Sequence, residues 1–118
     1  KNKSIKLTDG KQLRDYTYIS DIVKGFLILG FNRTKRNKYN LCSSKGIKIK
    51  NFINIFAKVG KFNKNLLNFG KKKMKENNFS SVIGNNRNIR GEFGWKPTVS
   101  LEEGMELTLN EFRERNVL

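Results

Sequence analysis

The sequence predicts a mixed α/β fold with about three helices and short strands, and three observations carry that prediction. In "GIKIKNFINIFAKVG" the residues Ile49, Phe52, Ile53, Phe56 and Val59 or Gly60 recur at i, i+3, i+4 and i+7, one face of an amphipathic helix. Near the C-terminus Ser100 and Glu103 form a capping-box pair ahead of a second stripe, Leu101, Met105, Leu109 and Phe112. Between the helical stretches lie short apolar runs bounded by turn residues, the pattern of brief strands.

In chain order, Ile5–Leu7 reads as a strand and Asp9-Gly10 as the turn that ends it, because a polar-glycine pair admits a positive φ. The first helix follows. Ser20 is its expected N-cap, Asp21 puts negative charge at the N-terminal end of the helix dipole, and the run Ile22, Val23, Phe26, Leu27 continues to Leu29 or to a stop at Gly30. "FNRTKRNK" is a basic loop and Tyr39–Ser43 a short strand. Gly60 stops the second helix, and Leu66–Phe69 is a strand candidate. The long segment after it is irregular, with one or two helical turns near Asn85–Glu92, until Pro97 breaks the chain before the last helix. Trp95, next to Lys-Pro, reads as a packing anchor in the core.

The chain has 118 residues, enough for one domain with a modest core or for part of one. It begins without methionine, which leaves open a fragment or a processed product. No run reaches the apolar length of a membrane span and no signal-peptide pattern is present, so a soluble, cytoplasmic protein without membrane partners is expected. One cysteine excludes an internal disulfide framework, and without histidine no zinc site is expected.

The net charge of +15 is uneven: residues 1–98 hold 23 basic and 5 acidic side chains, residues 99–118 hold 2 and 5. A polyanion partner is one reading of that charge. A solvated lysine-rich surface is the other, and the single alanine and proline among many Lys, Asn, Ile and Phe residues mark a composition that favours it.

Catalytic patterns are missing from the chain: no G-x-G-x-x-G, P-loop, G-x-S-x-G or H-E-x-x-H, and no histidine to serve as a general base. No catalytic residue is therefore assigned. "RDYTYISDIVKGF" is the stretch that composition does not explain. Arg14 follows a turn and precedes a helix start, a place from which a guanidinium can reach a cleft and fork onto phosphate oxygens. The alternative is that it pairs with Asp15 or caps a carbonyl.

That stretch resembles the R-D-[YF]-x-[YH]-[VI]-x-D segment of the extended short-chain dehydrogenase/reductases, the NAD-dependent nucleotide-sugar epimerases and dehydratases. "YNLCSSKGIKIKNFINIF" is similar to that family's Y-N-[VIL]-G-[ST]-G strand-to-helix segment. "GEFGWKPTVSLEEGMELTL" is similar to its E-L-G-W-x-P ending, with Glu92, Phe93, Gly94, Trp95, Pro97, Ser100, Leu101, Glu102 and Gly104 in step. The three segments stand in the family's order and place residues 1–118 as its C-terminal, nucleotide-sugar-binding portion.

The resemblance implies a Rossmann-type fold whose N-terminal, NAD(P)-binding part carries a Tyr-x-x-x-Lys pair and is absent from this chain. Tyr16, Tyr18 and Tyr39 each lack a lysine four residues on, so no cofactor is expected on this chain alone. The partner implied is a nucleotide diphosphate sugar, with Arg14 on its diphosphate. Of Tyr16 and Tyr18, one packs inward and the other borders the cleft; Tyr16 is counted with the site. Lys75 and Asn78 match the family's second basic residue and the polar group near the ribose, although Lys71–Lys75 also reads as a solvated lysine run. Cys42 and Ser44 replace family glycines, which strains the backbone wherever φ must be positive. Two other functions stay open: a small basic nucleic-acid-binding module, disfavoured because its phenylalanines follow a buried stripe and no specific nucleic-acid motif is present, and a degenerate, non-functional remnant. The oligomeric state is not predicted.

Overall fold

The structure, a computed structural model, describes residues 3–74 and 80–115. Its elements are β1 (Ile5–Lys6), β2 (Leu13–Arg14), α1 (Ile19–Phe31), β3 (Ile47–Lys48), α2 (Ile49–Val59), a 3₁₀ turn (Lys64–Leu66), β4 (Leu67–Asn68), β5 (Ser81–Val82), α3 (Arg87–Phe93) and α4 (Leu101–Glu114). The α/β class expected from the sequence holds, with four α-helices among the described residues and strands of two residues each. β1 and β4 pair in parallel, Ile5 opposite Leu67. The second sheet has the order β3-β2-β5: Arg14 of the central strand faces Ile47 across an antiparallel ladder and Val82 across a parallel one.

Local chemistry explains most element ends. Gly10 takes φ +66° in the Asp9-Gly10 turn, and a side chain there would meet the Lys50 backbone, whose N–H donates to the Gly10 carbonyl at 2.9 Å. α2 runs over the expected stripe and stops at Gly60. α4 begins at the expected capping box: Ser100 Oγ accepts from Glu103 N–H, and the Glu103 carboxylate from Ser100 N–H. Gly94, at φ +67°, closes α3 with its N–H on the Arg90 carbonyl at 2.9 Å.

Three expectations are corrected. α1 starts one residue before Ser20, with Tyr18 at the cap position and no side-chain cap bond. It also runs through Gly30 to Phe31, because isolated glycines such as Gly25 and Gly30 are tolerated in an apolar helix and the Asn32 side-chain amide donates back to the Ile28 carbonyl. Tyr39–Ser43 is not a strand, since none of the described strands lies beside it to supply a ladder. Side chains hold that segment instead: Asn40 Nδ2 donates to Asn85 O, and Asn86 Nδ2 to Cys42 O.

The core lies where α2 and α4 pack together and where α3 meets the loop ahead of α4, with Ala57, Ile89, Trp95, Met105 and Leu109 buried. Trp95 is the anchor expected of it. Of the α4 stripe, Met105 and Leu109 are buried, Leu101 is half-buried and Phe112 is exposed.

The buried Asp21 turns out to be more than a helix-start charge. Its side chain is 1% exposed and its carboxylate accepts from Thr98 N–H, Thr98 Oγ1 and Val99 N–H, each at 2.9 Å. Trp95 Nε1 donates to its carbonyl oxygen at 3.1 Å, and Lys24 Nζ stands 3.6 Å from the carboxylate. Burial pushes the carboxyl pKa up, but the hydrogen bonds from Val99 and Thr98, with Lys24, outweigh it and hold the pKa below its ordinary value.

Two outcomes are expected. Asp21→Ala leaves three donors without their acceptor and should lower unfolding stability by about 3 kcal/mol in urea titrations. Because the folded-state pKa is depressed, the carboxylate stabilises fully above its unfolded value near 3.8, and that contribution is lost as pH falls through the lower folded value. Urea midpoints followed from neutral to strongly acidic pH should show this loss, and Asp21→Asn should flatten it.

Candidate functional site

Arg14 sits on the central strand of the three-stranded sheet, half-buried, and one guanidinium nitrogen donates to the Leu13 carbonyl at 2.7 Å. That contact matches the carbonyl-capping alternative and also anchors the head group. The next residue, Asp15, gathers the surrounding loops. One of its carboxylate oxygens accepts from Ser43 N–H and Oγ, the other from Ser44 N–H and Gly84 N–H at 2.9 and 3.2 Å. Asp15 thereby joins the end of the 39–43 segment to the chain leaving β5.

The glycine replacements behave differently. Ser44 adopts φ +59°, a conformation that favours glycine, and is held there by its bond to Asp15 and by accepting Asn86 N–H on Oγ at 2.9 Å. Cys42 keeps an ordinary backbone and fills the space beside Gly84, where an added Cβ would lie 2.4 Å from its sulfur.

Tyr16 stacks on Phe52 of α2, with ring centroids 4.0 Å apart and planes 20° from parallel. It borders two cavities. One, of about 290 Å³, is apolar and enters between α2 and α4 past Phe56, Leu101 and Met105. The other, of about 650 Å³, is more polar and is lined by Ser43, Lys45, Asn86, Arg90 and Lys96, with three cations and no carboxylate. Tyr18 lies against Gly104 of α4, so each tyrosine packs on a helix; both line the smaller cavity and only Tyr16 reaches the larger one.

The sequence-derived site residues are therefore not gathered in one place. Tyr16 lines both cavities, Arg14 lines neither of them, and Lys75 and Asn78 lie outside the described residues. Sequence reasoning missed Asp15 as an organiser and missed the trio Lys45, Arg90 and Lys96. These three come from separate segments, and no local spacing marks them. Among the described residues, α1 follows Tyr16-Thr17-Tyr18 and α2 follows Lys48 directly, so neither of these two helices opens from a glycine loop able to cradle a pyrophosphate.

Comparison with known proteins places this geometry. The profile of the GDP-mannose 4,6 dehydratase family matches residues 1–108. CDP-abequose synthase of Salmonella typhimurium is 26% identical over 110 residues, which is 90% of this chain and 36% of that protein. Among solved structures, UDP-glucose 4-epimerase of Thermotoga maritima with UDP-glucose superposes at a TM-score of 0.84 and 24% identity, over 98% of this chain and 36% of that one. dTDP-glucose 4,6-dehydratase of Bacillus anthracis, in complex with NAD, superposes at 0.78 and 17% identity, again over 98% and 36%. The two structures share the fold, and the chain spans about a third of the length of the proteins it matches. The chain belongs to the extended short-chain dehydrogenase/reductase family of nucleotide-sugar epimerases and dehydratases, and corresponds to its C-terminal part.

Proposed function

We propose that this chain is the substrate-binding portion of an NAD-dependent nucleotide-sugar epimerase or dehydratase and holds the substrate diphosphate through Arg14. The observation that carries the reading is the place of Arg14: it stands at the arginine of the family segment, on a central strand, with its head group oriented by the Leu13 carbonyl and its neighbour Asp15 fixing the adjoining loops. A guanidinium held by a carbonyl has a fixed orientation, and its planar fork suits phosphate oxygens. Tyr16 borders the sugar end, and Lys75 with Asn78 completes the nucleotide contacts. The chain performs no chemistry by itself in this reading. NAD and the tyrosine–lysine pair belong to a separate N-terminal part.

Surface accounting supports a missing neighbour. The chain exposes 9291 Å², against roughly 6,600 Å² for a folded monomer of its mass. Its radius of gyration is 17.1 Å where about 13.5 Å is usual for the length, and its shortest dimension is 17 Å. α1 is the clearest uncovered element: Ile19, Val23, Phe26 and Leu27 are 64, 48, 65 and 52% exposed. An NAD-binding part covering that face accounts for a helix that is apolar nearly all round. Among the described residues no helix is long and apolar enough to cross a membrane, so a bilayer-spanning role does not explain α1.

Arg14→Ala is expected to weaken nucleotide-sugar binding by about 1.5–3 kcal/mol in calorimetric titration of the assembled protein. Unchanged affinity would remove Arg14 from the site. The double change Phe26→Lys with Leu27→Glu should alter the isolated chain's urea stability by no more than about 0.5 kcal/mol per substitution. A much larger loss would mean that the α1 face packs within this chain.

A further inference from the structure

Outside this site, the loop after α1 and one face of α3 form a second cationic surface. Two adjoining concavities, about 460 and 700 Å³, share Lys35, Arg36 and Asn88, and their linings add Arg87 on one side and Lys38 on the other. The loop is fixed at three points. Lys35 N–H donates to the Glu92 carboxylate at 2.7 Å, Arg36 N–H to the Tyr39 hydroxyl at 3.0 Å, and Asn88 Nδ2 to the Lys38 carbonyl at 3.2 Å. All three use backbone groups of the loop and leave its cationic heads directed to solvent.

Glu92 is the only carboxylate in either lining, and both its oxygens are engaged, one by Lys35 N–H and the other by the Tyr39 hydroxyl at 2.6 Å. Among the described residues no ion pair involves Lys35, Arg36, Lys38 or Arg87. Four cations therefore line a concave track whose backbone is already ordered, against one carboxylate, Glu92, whose charge acts on Lys35 and Arg36, and the surface keeps a net positive charge. Two are arginines, which fork onto phosphate oxygens. A flat membrane surface would reach few groups set inside concavities, whereas a threadlike chain of phosphates can follow them.

We infer that the Lys35–Lys38 loop and Arg87 form a contact surface for the phosphate backbone of single-stranded nucleic acid, read without base specificity. This surface is independent of Arg14 and of the nucleotide-sugar reading. The test is fluorescence-anisotropy titration of the full chain with a uniform oligouridylate across a salt series. The parent is compared with Arg36→Ala/Arg87→Ala and with Lys71→Ala/Lys72→Ala/Lys73→Ala, after amide NMR spectra show that each is folded.

The expected result is a loss of about tenfold or more for the arginine pair, with its log K against log[salt] slope shallower by about 1.4, two single-strand phosphate contacts. The lysine triple, which removes more charge, should stay within about twofold of the parent. An equal or larger loss in the lysine triple would mean diffuse attraction to the +15 chain and would overturn the inference. So would no binding by the parent near 0.1 M salt, or displacement of the oligomer by inorganic pyrophosphate at matched phosphate concentration, which would mark a small-anion site.

Discussion

A buried carboxylate, Asp21, ties the first third of the chain to the last. With 1% of its side chain exposed, an unpartnered charge there would be strongly destabilising. It is stable because Thr98 and Val99 present two backbone N–H groups and a hydroxyl in one turn of chain, and Lys24 stands nearby. Those two residues immediately precede the Ser100 cap, so the interaction sets where α4 begins and from what direction. α4 then packs on α2 and buries Met105 and Leu109. Trp95, bonded to the Asp21 carbonyl, brings the end of the α3 region onto the same point.

Asp15 repeats the device on the other side of α1. Strands of two residues supply too few ladder bonds to hold loops in place. A carboxylate that accepts four donors from residues 43, 44 and 84 performs that task instead. It also offsets the positive φ of Ser44. Arg14, one residue earlier, inherits a rigid setting from a neighbour that spends its own charge on the backbone.

The same economy of internal packing leaves surfaces for other molecules. A slab 17 Å thick cannot bury both sides of its helices, and the apolar side of α1 is the consequence. The 33–38 loop shows the opposite chemistry. Its backbone is satisfied by Glu92, Tyr39 and Asn88, and its charges remain outside. The Tyr39 hydroxyl donates to the Glu92 carboxylate and holds its pKa below the ordinary value.

The sequence by itself determined what depends on neighbours in the chain. The α2 stripe with its Gly60 stop, the Ser100–Glu103 box, the Asp9-Gly10 turn and the three family segments were all legible, because period, capping and turn chemistry act within a few residues. Even the trouble at Ser44 was visible from a missing glycine. Tertiary structure decided what depends on distance. The start of α1 at Ile19 escaped because Asp21 is held by residues 98 and 99 rather than by a local cap. Tyr39–Ser43 has a strand's composition, but a strand exists only beside a partner, and the described residues offer none. The union of Lys45 with Arg90 and Lys96 and the gathering of residues 43, 44 and 84 by Asp15 join segments far apart in the chain, 28 to 69 residues in the case of Asp15, on which no sequence period reports; the uncovered face of α1 is decided by tertiary packing too.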